Sequence, residues 1–397
     1  MTQDLYLYIN VPFCLKRCNY CYCTLVITDE DLLSWKTNAE LYTEAVLKEI
    51  SGFNGRNKRC LGVSFGGGTP SLLEVPQIER ILNAAMTSCT SINEQMQVNI
   101  EVFPGTKNRD ELKSLRSMGF NRASIGAQSF DEEELRLLGR VHSKKAIYKT
   151  YDDMCAAGFE NINIDIMFGL PTGNLSRWMK TVDEALLLQP AHLTAYYWFV
   201  TLGCNFFHGI KEGSLELPGR EECIEQYKYV RDMAKEHGLN FYYDYNFSRG
   251  PEYEYAIERD MFRHCPIRGF GPNAWSQQGR IKITNSQVLQ TYIKNPSAGS
   301  AVEYSVDLYM LRTLMYPQGM IFTEFEQLFK KKWAPGLIGE KLKKSYTSWL
   351  DEGLVDIDDN GIRFKEETWE QSAVRLAEAQ TEAWYCPEKE LPFLGSR

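Results

Sequence analysis

The 397-residue chain is long enough for more than one compact unit, and its 44% hydrophobic and 24% charged content is that of a globular protein. A net charge of -8 argues against nucleic acid as a main partner, because a phosphate backbone is bound by a basic face. No run approaches the roughly 18 apolar residues of a membrane span, and the start at Met1-Thr2-Gln3-Asp4 lacks the basic segment and small-residue cleavage site of a secretion signal. The expectation is a cytoplasmic protein that does not engage a membrane.

Leu5–Ile9 reads as a strand, Thr37–Ile50 as a helix, Leu61–Phe65 as a strand and Val75–Met86 as a helix. Gln97–Val102 alternates as a strand, and Arg109–Met118 is a helix closed by Gly119. Arg122–Ala127, Ile162–Phe168 and His192–Phe199 are further strands, separated by helices over Ser143–Ala157 and Leu175–Leu188. Strands alternating with helices of this length indicate parallel βαβ units. Six units are too few to close an eightfold barrel, so the expected fold class is α/β, a partial (β/α)6 TIM-like barrel. Its site belongs at the C-terminal ends of the strands.

Past residue 205 the pattern turns irregular and aromatic, most densely at Phe241–Phe247. From Tyr304 it reads as helices with faces at Val306/Met310/Leu311/Leu314, Phe322/Phe325/Leu328/Phe329 and Leu342/Tyr346/Trp349/Leu350, then a hairpin about Asp359-Asn360-Gly361. This predicts a small, mostly helical, winged-helix-like C-terminal domain. The expected division is a barrel core at 1–205, a barrel extension at 206–300 and a cap at 301–397. The acidic run Asp131–Glu134 and the basic run Lys330–Lys332 are read as solvated faces.

There are 11 cysteines, an odd number that argues against a disulfide framework. Seven stand singly (Cys60, Cys89, Cys155, Cys204, Cys223, Cys265 and Cys386) and read as small buried hydrophobes. The other four, Cys14, Cys18, Cys21 and Cys23, lie on the loop after the first strand. Thiolates at these spacings converge on one face of an iron–sulfur cubane, and three ligands leave one iron open. Zinc is the alternative, but zinc sites pair two close-spaced motifs and the nearest histidine in the sequence is His142. Cys23 is either a fourth ligand or a neighbouring thiol.

Phe65-Gly66-Gly67-Gly68-Thr69-Pro70 follows a strand, and its glycines either let the backbone approach a ligand or merely make a tight turn. Glu101, Gln128 and Asp165 stand at strand ends, and Arg140 follows Gly139. Singly each is a loop anchor. Together they suit a zwitterionic nucleoside: Arg140 forks onto a carboxylate, Glu101 and Asp165 accept from ammonium or ribose hydroxyls, and Gln128 does either.

The Cys14/Cys18/Cys21 spacing, the extra Cys23 and the lead-in Tyr8-Ile9-Asn10-Val11-Pro12-Phe13 resemble the radical S-adenosylmethionine (SAM) superfamily. The branch resembled contains the oxygen-independent coproporphyrinogen III oxidases, their haem-chaperone-like relatives and the class C radical SAM methylases. The resemblance implies a 4Fe–4S cluster on Cys14, Cys18 and Cys21, with SAM on the open iron. It implies a first SAM site from Tyr8, Gly67, Gly68, Thr69, Glu101, Gln128, Arg140 and Asp165, with Tyr8 and the three cysteines catalytic. Gly269–Ser276 resembles a later glycine segment, so that Met167, Phe270, Gly271 and Trp275 border a second SAM. An electron donor such as flavodoxin or ferredoxin is also implied.

Three departures bear on the branch. Porphyrin-acting members usually carry His where this chain has Asn10, residues 253–259 lack the histidine of the haem-chaperone-like members, and only 13 residues precede Cys14. The leading expectation is therefore a class C-like methylase that methylates or cyclopropanates an sp2 carbon of a specialised metabolite, free or carrier-bound, through a SAM methylene radical. Phe241–Phe247 and Tyr196-Tyr197-Trp198 are its candidate planar-substrate lining. The alternatives are a tetrapyrrole enzyme, by oxidative decarboxylation or ring opening, and a haem-binding chaperone-like protein.

Overall fold

The computed structural model describes residues 2–380 except 22, 24, 25, 28–31, 172, 202, 262, 264 and 297; Cys386 lies outside the described residues. Six strands lie side by side and parallel in chain order: β1 (Gln3–Val11), β2 (Lys58–Gly67), β3 (Ser91–Val102), β4 (Arg122–Gln128), β5 (Asn161–Phe168) and β6 (His192–Tyr197). Their crossovers contain α1 (Leu32–Ser51), α2 (Val75–Thr87), α3 (Arg109–Ser117), α4 (Glu132–Leu137), α5 (Lys144–Ala156) and α6 (Leu175–Leu187). The strands read as near-continuous apolar runs because helices cover one face and the barrel interior the other. Local chemistry sets the helix starts. Asn108 accepts from the Asp110 and Glu111 amides while Glu111 reaches back, a full capping box, and Ser143 and Asn174 cap α5 and α6.

The six-unit partial barrel is as expected, and the chain extends it at both edges. At one edge a hairpin of β7 (Asn240–Tyr243) and β8 (Asn246–Ser248) adds through β8, antiparallel to β6. At the other, β9 (Ile267–Phe270) pairs parallel to β1, a seventh parallel strand that its length of 4 residues hid from sequence reading. A meander of β10 (Trp275–Gln278), β11 (Ile281–Asn285) and β12 (Gly299–Glu303) follows. The full order is β12-β11-β10-β9-β1-β2-β3-β4-β5-β6-β8-β7.

The stretch after 205 is less irregular than expected. It holds α7 (Asn205–Lys211), the 17-residue α8 (Arg220–Glu236) and α9 (Ala256–Met261). The acidic run also departs from the reading of a solvated face. Asp131 caps α4, and Glu134 is only 3% exposed, with burial pushing its carboxyl up. Among the single cysteines Cys60, Cys204 and Cys223 are buried, but Cys155 is exposed.

After α10 (Leu289–Lys294) come α11 (Val306–Thr313), β13 (Met320–Ile321), α12 (Phe322–Phe329), α13 (Glu340–Asp351), β14 (Val355–Ile357) and β15 (Gly361–Phe364). The order helix, strand, helix, helix, hairpin, with β15 between β13 and β14, is that of a winged helix, as expected. A last helix, α14 (Trp369–Gln380), packs on α8, and the Tyr245 hydroxyl donates to its Ala373 carbonyl at 3.2 Å. No helix of the described residues is long and apolar enough to cross a membrane.

Candidate active site

The cysteine loop leaves β1 and is pinned at several points. Phe13 is fully buried, with its ring 5.0 Å from Trp35 and 5.4 Å from Tyr42, so the loop starts from a fixed place. The Asn19 amide donates to the Leu138 carbonyl at 2.9 Å, and the Phe206 amide donates to Asn19 at 3.0 Å, which ties the loop to the end of α4 and the start of α7. Arg17 reaches the Cys23 carbonyl at 3.0 Å. Cys14, Cys18 and Cys21 thereby line one end of a cavity of about 520 Å³, with Cys23 beside them. The neighbouring Cys23 thiol, with help from Arg17 and Arg140, pulls Cys21 down to about 6. Burial pushes Cys14 up to about 11.

The strand ends supply the next layer. Gly66 is obligatory: a Cβ there would stand 2.6 Å from Glu101 Oε1 and 2.9 Å from the Tyr8 hydroxyl. Gly67 has φ +102° and lies against Asn10. Gly67, Gly68 and Thr69 line the cavity, and Thr69 Oγ1 is 3.4 Å from Cys14 Sγ. Arg140 comes within 3.6 Å of Cys18 Sγ, donates to the Gly126 carbonyl and lies 4.2 Å over Phe103. Gln128 ends β4 in the left-handed region at φ +69°, a strained backbone of the kind held at functional sites. Gln128 Oε1 and Arg140 Nε are buried without a hydrogen-bond partner.

Glu101 and Asp165 face the same space and are costly to ionise there. Burial, and then the Asp165 charge, pushes Glu101 up to about 8. Asp165 rises to about 6, again through burial, with the Asn163 amide at 2.7 Å and Arg122 holding it back. Arg122 is 1% exposed, donates to Asn99 at 2.8 Å and Ser124 at 2.7 Å, and stacks 4.1 Å over Tyr255. It is the buried cation that offsets these acids, and sequence reading passed over it. A basic residue opening an otherwise apolar strand was the available signal.

The cavity runs on from Met167 along Tyr196, Tyr197, Trp198 and Phe199 to Tyr243 and Asp244 in the β7–β8 hairpin. Its lining also includes Glu258 from α9 and Arg312 from α11. Of the aromatic run proposed as lining, only Tyr243 reaches the cavity. Phe241 instead packs on Trp369 at 4.9 Å, and Tyr245 packs in the core against Phe168 and Tyr227.

Eleven of the expected site residues therefore meet in one cavity: Cys14, Cys18, Cys21, Gly67, Gly68 and Thr69, with Glu101, Gln128, Arg140, Asp165 and Met167. Tyr8 stands one layer below, its hydroxyl beside Glu101 at Gly66. Phe270, Gly271 and Trp275 are outside the lining. Phe270 is buried against Phe53 at 5.8 Å. Gly271, at φ +104°, presses on the Asn10 backbone and donates to Glu49 at 3.0 Å. Trp275 lies under Lys282 at 5.3 Å.

Among the described residues no three His, Cys, Asp or Glu side chains close on a single ion, which is the arrangement zinc would need. His142 packs on Phe103 at 5.0 Å. Three thiols on one cavity wall, each free to hold its own corner, suit a cubane better. The unpartnered Gln128 and Arg140 atoms and the glycine-lined approach leave polar room beside it for a zwitterionic ligand.

The radical SAM superfamily model matches residues 8–185. The chain is 30% identical over 269 residues to heme chaperone HemW of Synechocystis, an alignment covering 68% of this chain and 65% of that protein. It is 26% identical over 386 residues to the oxygen-independent coproporphyrinogen III oxidase of Escherichia coli, covering 91% and 82%. The coproporphyrinogen III oxidase HemN structure from E. coli superposes with a TM-score of 0.75 at 22% identity, over 95% of this chain and 90% of that one, so the two share a fold. These relatives overturn the expected C-methylase or cyclopropanating enzyme of specialised metabolism, since they are haem chaperones and coproporphyrinogen oxidases. The domain implies a 4Fe–4S cluster and SAM as cofactors. The chain thus carries a radical SAM domain, and its homologues are haem chaperones and oxygen-independent coproporphyrinogen III oxidases.

Proposed function

We propose that this chain is an oxygen-sensitive enzyme that acts on a tetrapyrrole. The observation that carries the reading is a single cavity lined both by three thiols and by the aromatic run Tyr196–Phe199 with Tyr243, in a chain whose relatives are named for haem and coproporphyrinogen. The bound cluster and SAM would supply a carbon radical able to take a hydrogen atom. The chain's own residues do the rest. Cys14, Cys18 and Cys21 hold the cluster, the Gly66–Gly68 backbone and Glu101 receive the SAM ammonium, and Arg140 and Gln128 take its carboxylate end. Asp165 accepts from the ribose. Tyr196 to Phe199 exclude water and give a flat substrate a face to lie on. Met167, in the cavity lining, is the residue that would touch a second SAM. A flavodoxin- or ferredoxin-type protein delivers the electron.

The haem-chaperone relatives favour a second reading, in which haem is bound without turnover. Both are tested on anaerobically reconstituted protein with reductant and methyl-deuterated SAM, offered coproporphyrinogen III or haem. The enzyme reading expects 5′-deoxyadenosine and methionine whose formation depends on the tetrapyrrole, and loss of carbon dioxide from it once a one-electron acceptor is added to take the electron left by the decarboxylating radical. A Soret shift with haem and no tetrapyrrole-dependent cleavage would favour the chaperone. SAM cleavage indifferent to either compound, with no haem binding, would refute both. Equilibrium dialysis on the same sample counts the SAM molecules.

A further inference from the structure

The cavity is longer than a cofactor site needs. Its lining also draws on elements remote in sequence: Tyr243 and Asp244 from the β7–β8 hairpin, Glu258 and Met261 from α9, and Arg312 and Met315 from the cap. Two acids and an arginine stand there among aromatic and thioether side chains, none of them among the residues assigned above to the cluster or SAM.

We propose that Glu258 and Arg312 are the substrate-recognition pair, Glu258 accepting hydrogen bonds from ring N–H groups and Arg312 receiving a side-chain carboxylate of the same molecule. The proposal rests on the tetrapyrrole reading and deepens it. It selects the reduced, puckered porphyrinogen, whose N–H groups stand out of the ring plane, over the flat oxidised porphyrin, whose N–H groups point into the ring.

The backbone that presents Glu258 is fixed on both sides. The Tyr316 hydroxyl donates to the Arg259 carbonyl at 2.7 Å, and Arg259 pairs with Glu254 and Asp260, away from the cavity. Glu258 turns the other way, into the cavity. Among the described residues its carboxyl has no ion pair within 4.0 Å; Arg122 and Arg312 act on it from further off, while Asp165 opposes its charge. Its charge is held at a cost, burial pushing the carboxyl up to about 7, and a ligand bearing donors lowers that cost. Beside it the Asn246 side chain, 1% exposed, is the neighbouring donor that holds the carboxyl down. Arg312 lines the same cavity as Asp244 and Glu258, and its charge eases the ionisation of both. One wall thus combines acceptor, donor and cation around an apolar chamber, as a pyrrolic polycarboxylate would require.

The test uses the full chain with cluster and SAM in place, held without oxygen, and measures affinity for coproporphyrinogen III and coproporphyrin III, which carry the same carboxylates. The wild-type chain should prefer the porphyrinogen. Glu258→Gln should weaken porphyrinogen binding about 10- to 100-fold, the worth of a hydrogen bond to a charged group, and change porphyrin binding little. Arg312→Gln should weaken both by similar factors. Equal effects of Glu258→Gln on the two probes, or none, would overturn the recognition role while leaving the tetrapyrrole reading standing. Arg312→Gln without effect would remove that half of the pair. Wild-type protein that binds neither probe would sink the tetrapyrrole reading and this inference with it. Should Glu258→Gln not fold, the wild-type preference alone decides: no preference for the porphyrinogen overturns the proposal.

Discussion

Glu101 is where the electrostatics of the cavity can be weighed directly. Its carboxyl is carried from an ordinary 4.5 to about 8, first by burial and then by Asp165. For an acid raised in the folded state, the stability contribution is complete below the unfolded value and is lost as pH climbs through the folded one. That shift is worth at most about 5 kcal/mol at about 1.4 kcal/mol per pH unit, and cavity water and coupling to Asp165 bring the expectation to about 2–3 kcal/mol. Glu101→Gln keeps the shape of the protonated acid. The cluster-free variant should therefore match wild type in denaturant at about pH 5 and exceed it by that margin near pH 8.5. SAM, if its ammonium is seated on Glu101, should narrow the gap. Stability curves that stay parallel across this range would refute the reasoning, since no charge would then be held at a cost in the folded state.

Two more perturbations address the same cavity. Cys14→Ala, Cys18→Ala and Cys21→Ala should each abolish bound iron and its visible absorbance after reconstitution, while Cys23→Ala keeps them, because Cys23 stands beside Cys21 and favours its thiolate; loss of iron from the Cys23 variant would make it a ligand. Arg122→Met should cost about 3–5 kcal/mol near neutral pH, as it strands buried acids. Denaturation at about pH 5.5 should show a smaller loss, Glu101, Asp165 and Glu258 then being largely protonated.

What was legible in the sequence is what local pattern encodes. The six strands alternate with capped helices, and the thiol spacing and the glycines after β2 name their chemistry without reference to the rest of the chain. Helix α8 was lost because its buried face includes Gln226, which is 2% exposed and accepts from the Gly169 amide at 3.0 Å, so a polar residue interrupts the apolar stripe. Strand β9 is too short to show a period, and its place beside β1 is a contact across more than 250 residues. Glu258 and Arg122 escaped for a related reason. Each looks like a surface charge on its own segment, and only the assembled barrel buries Arg122 and sets Glu258 in the cavity lining.

Asn10 shows how a substitution in a family motif can be misjudged without the fold. A histidine is usual here in porphyrin-acting relatives, and its absence counted against a tetrapyrrole substrate. Asn10 is 7% exposed and works as a strut. Its Nδ2 donates to the Pro272 carbonyl at 2.6 Å, its carbonyl accepts from the Tyr42 hydroxyl at 3.0 Å, and its Oδ1 lies 2.4 Å from where a Gly67 Cβ would be. It joins β1 to the glycine loop after β2 and to the segment after β9, and it is absent from the cavity lining. Substrate selectivity therefore does not follow from this side chain. Asn10→Ala keeps the backbone contact with Tyr42 but strands the Pro272 carbonyl, and should cost about 1–3 kcal/mol. The Gly67–Thr69 wall would loosen with it, raising the KM for SAM while leaving the relative affinities for different tetrapyrroles as they were. A changed preference among tetrapyrroles with an unchanged KM for SAM would show that position 10 reads substrate after all.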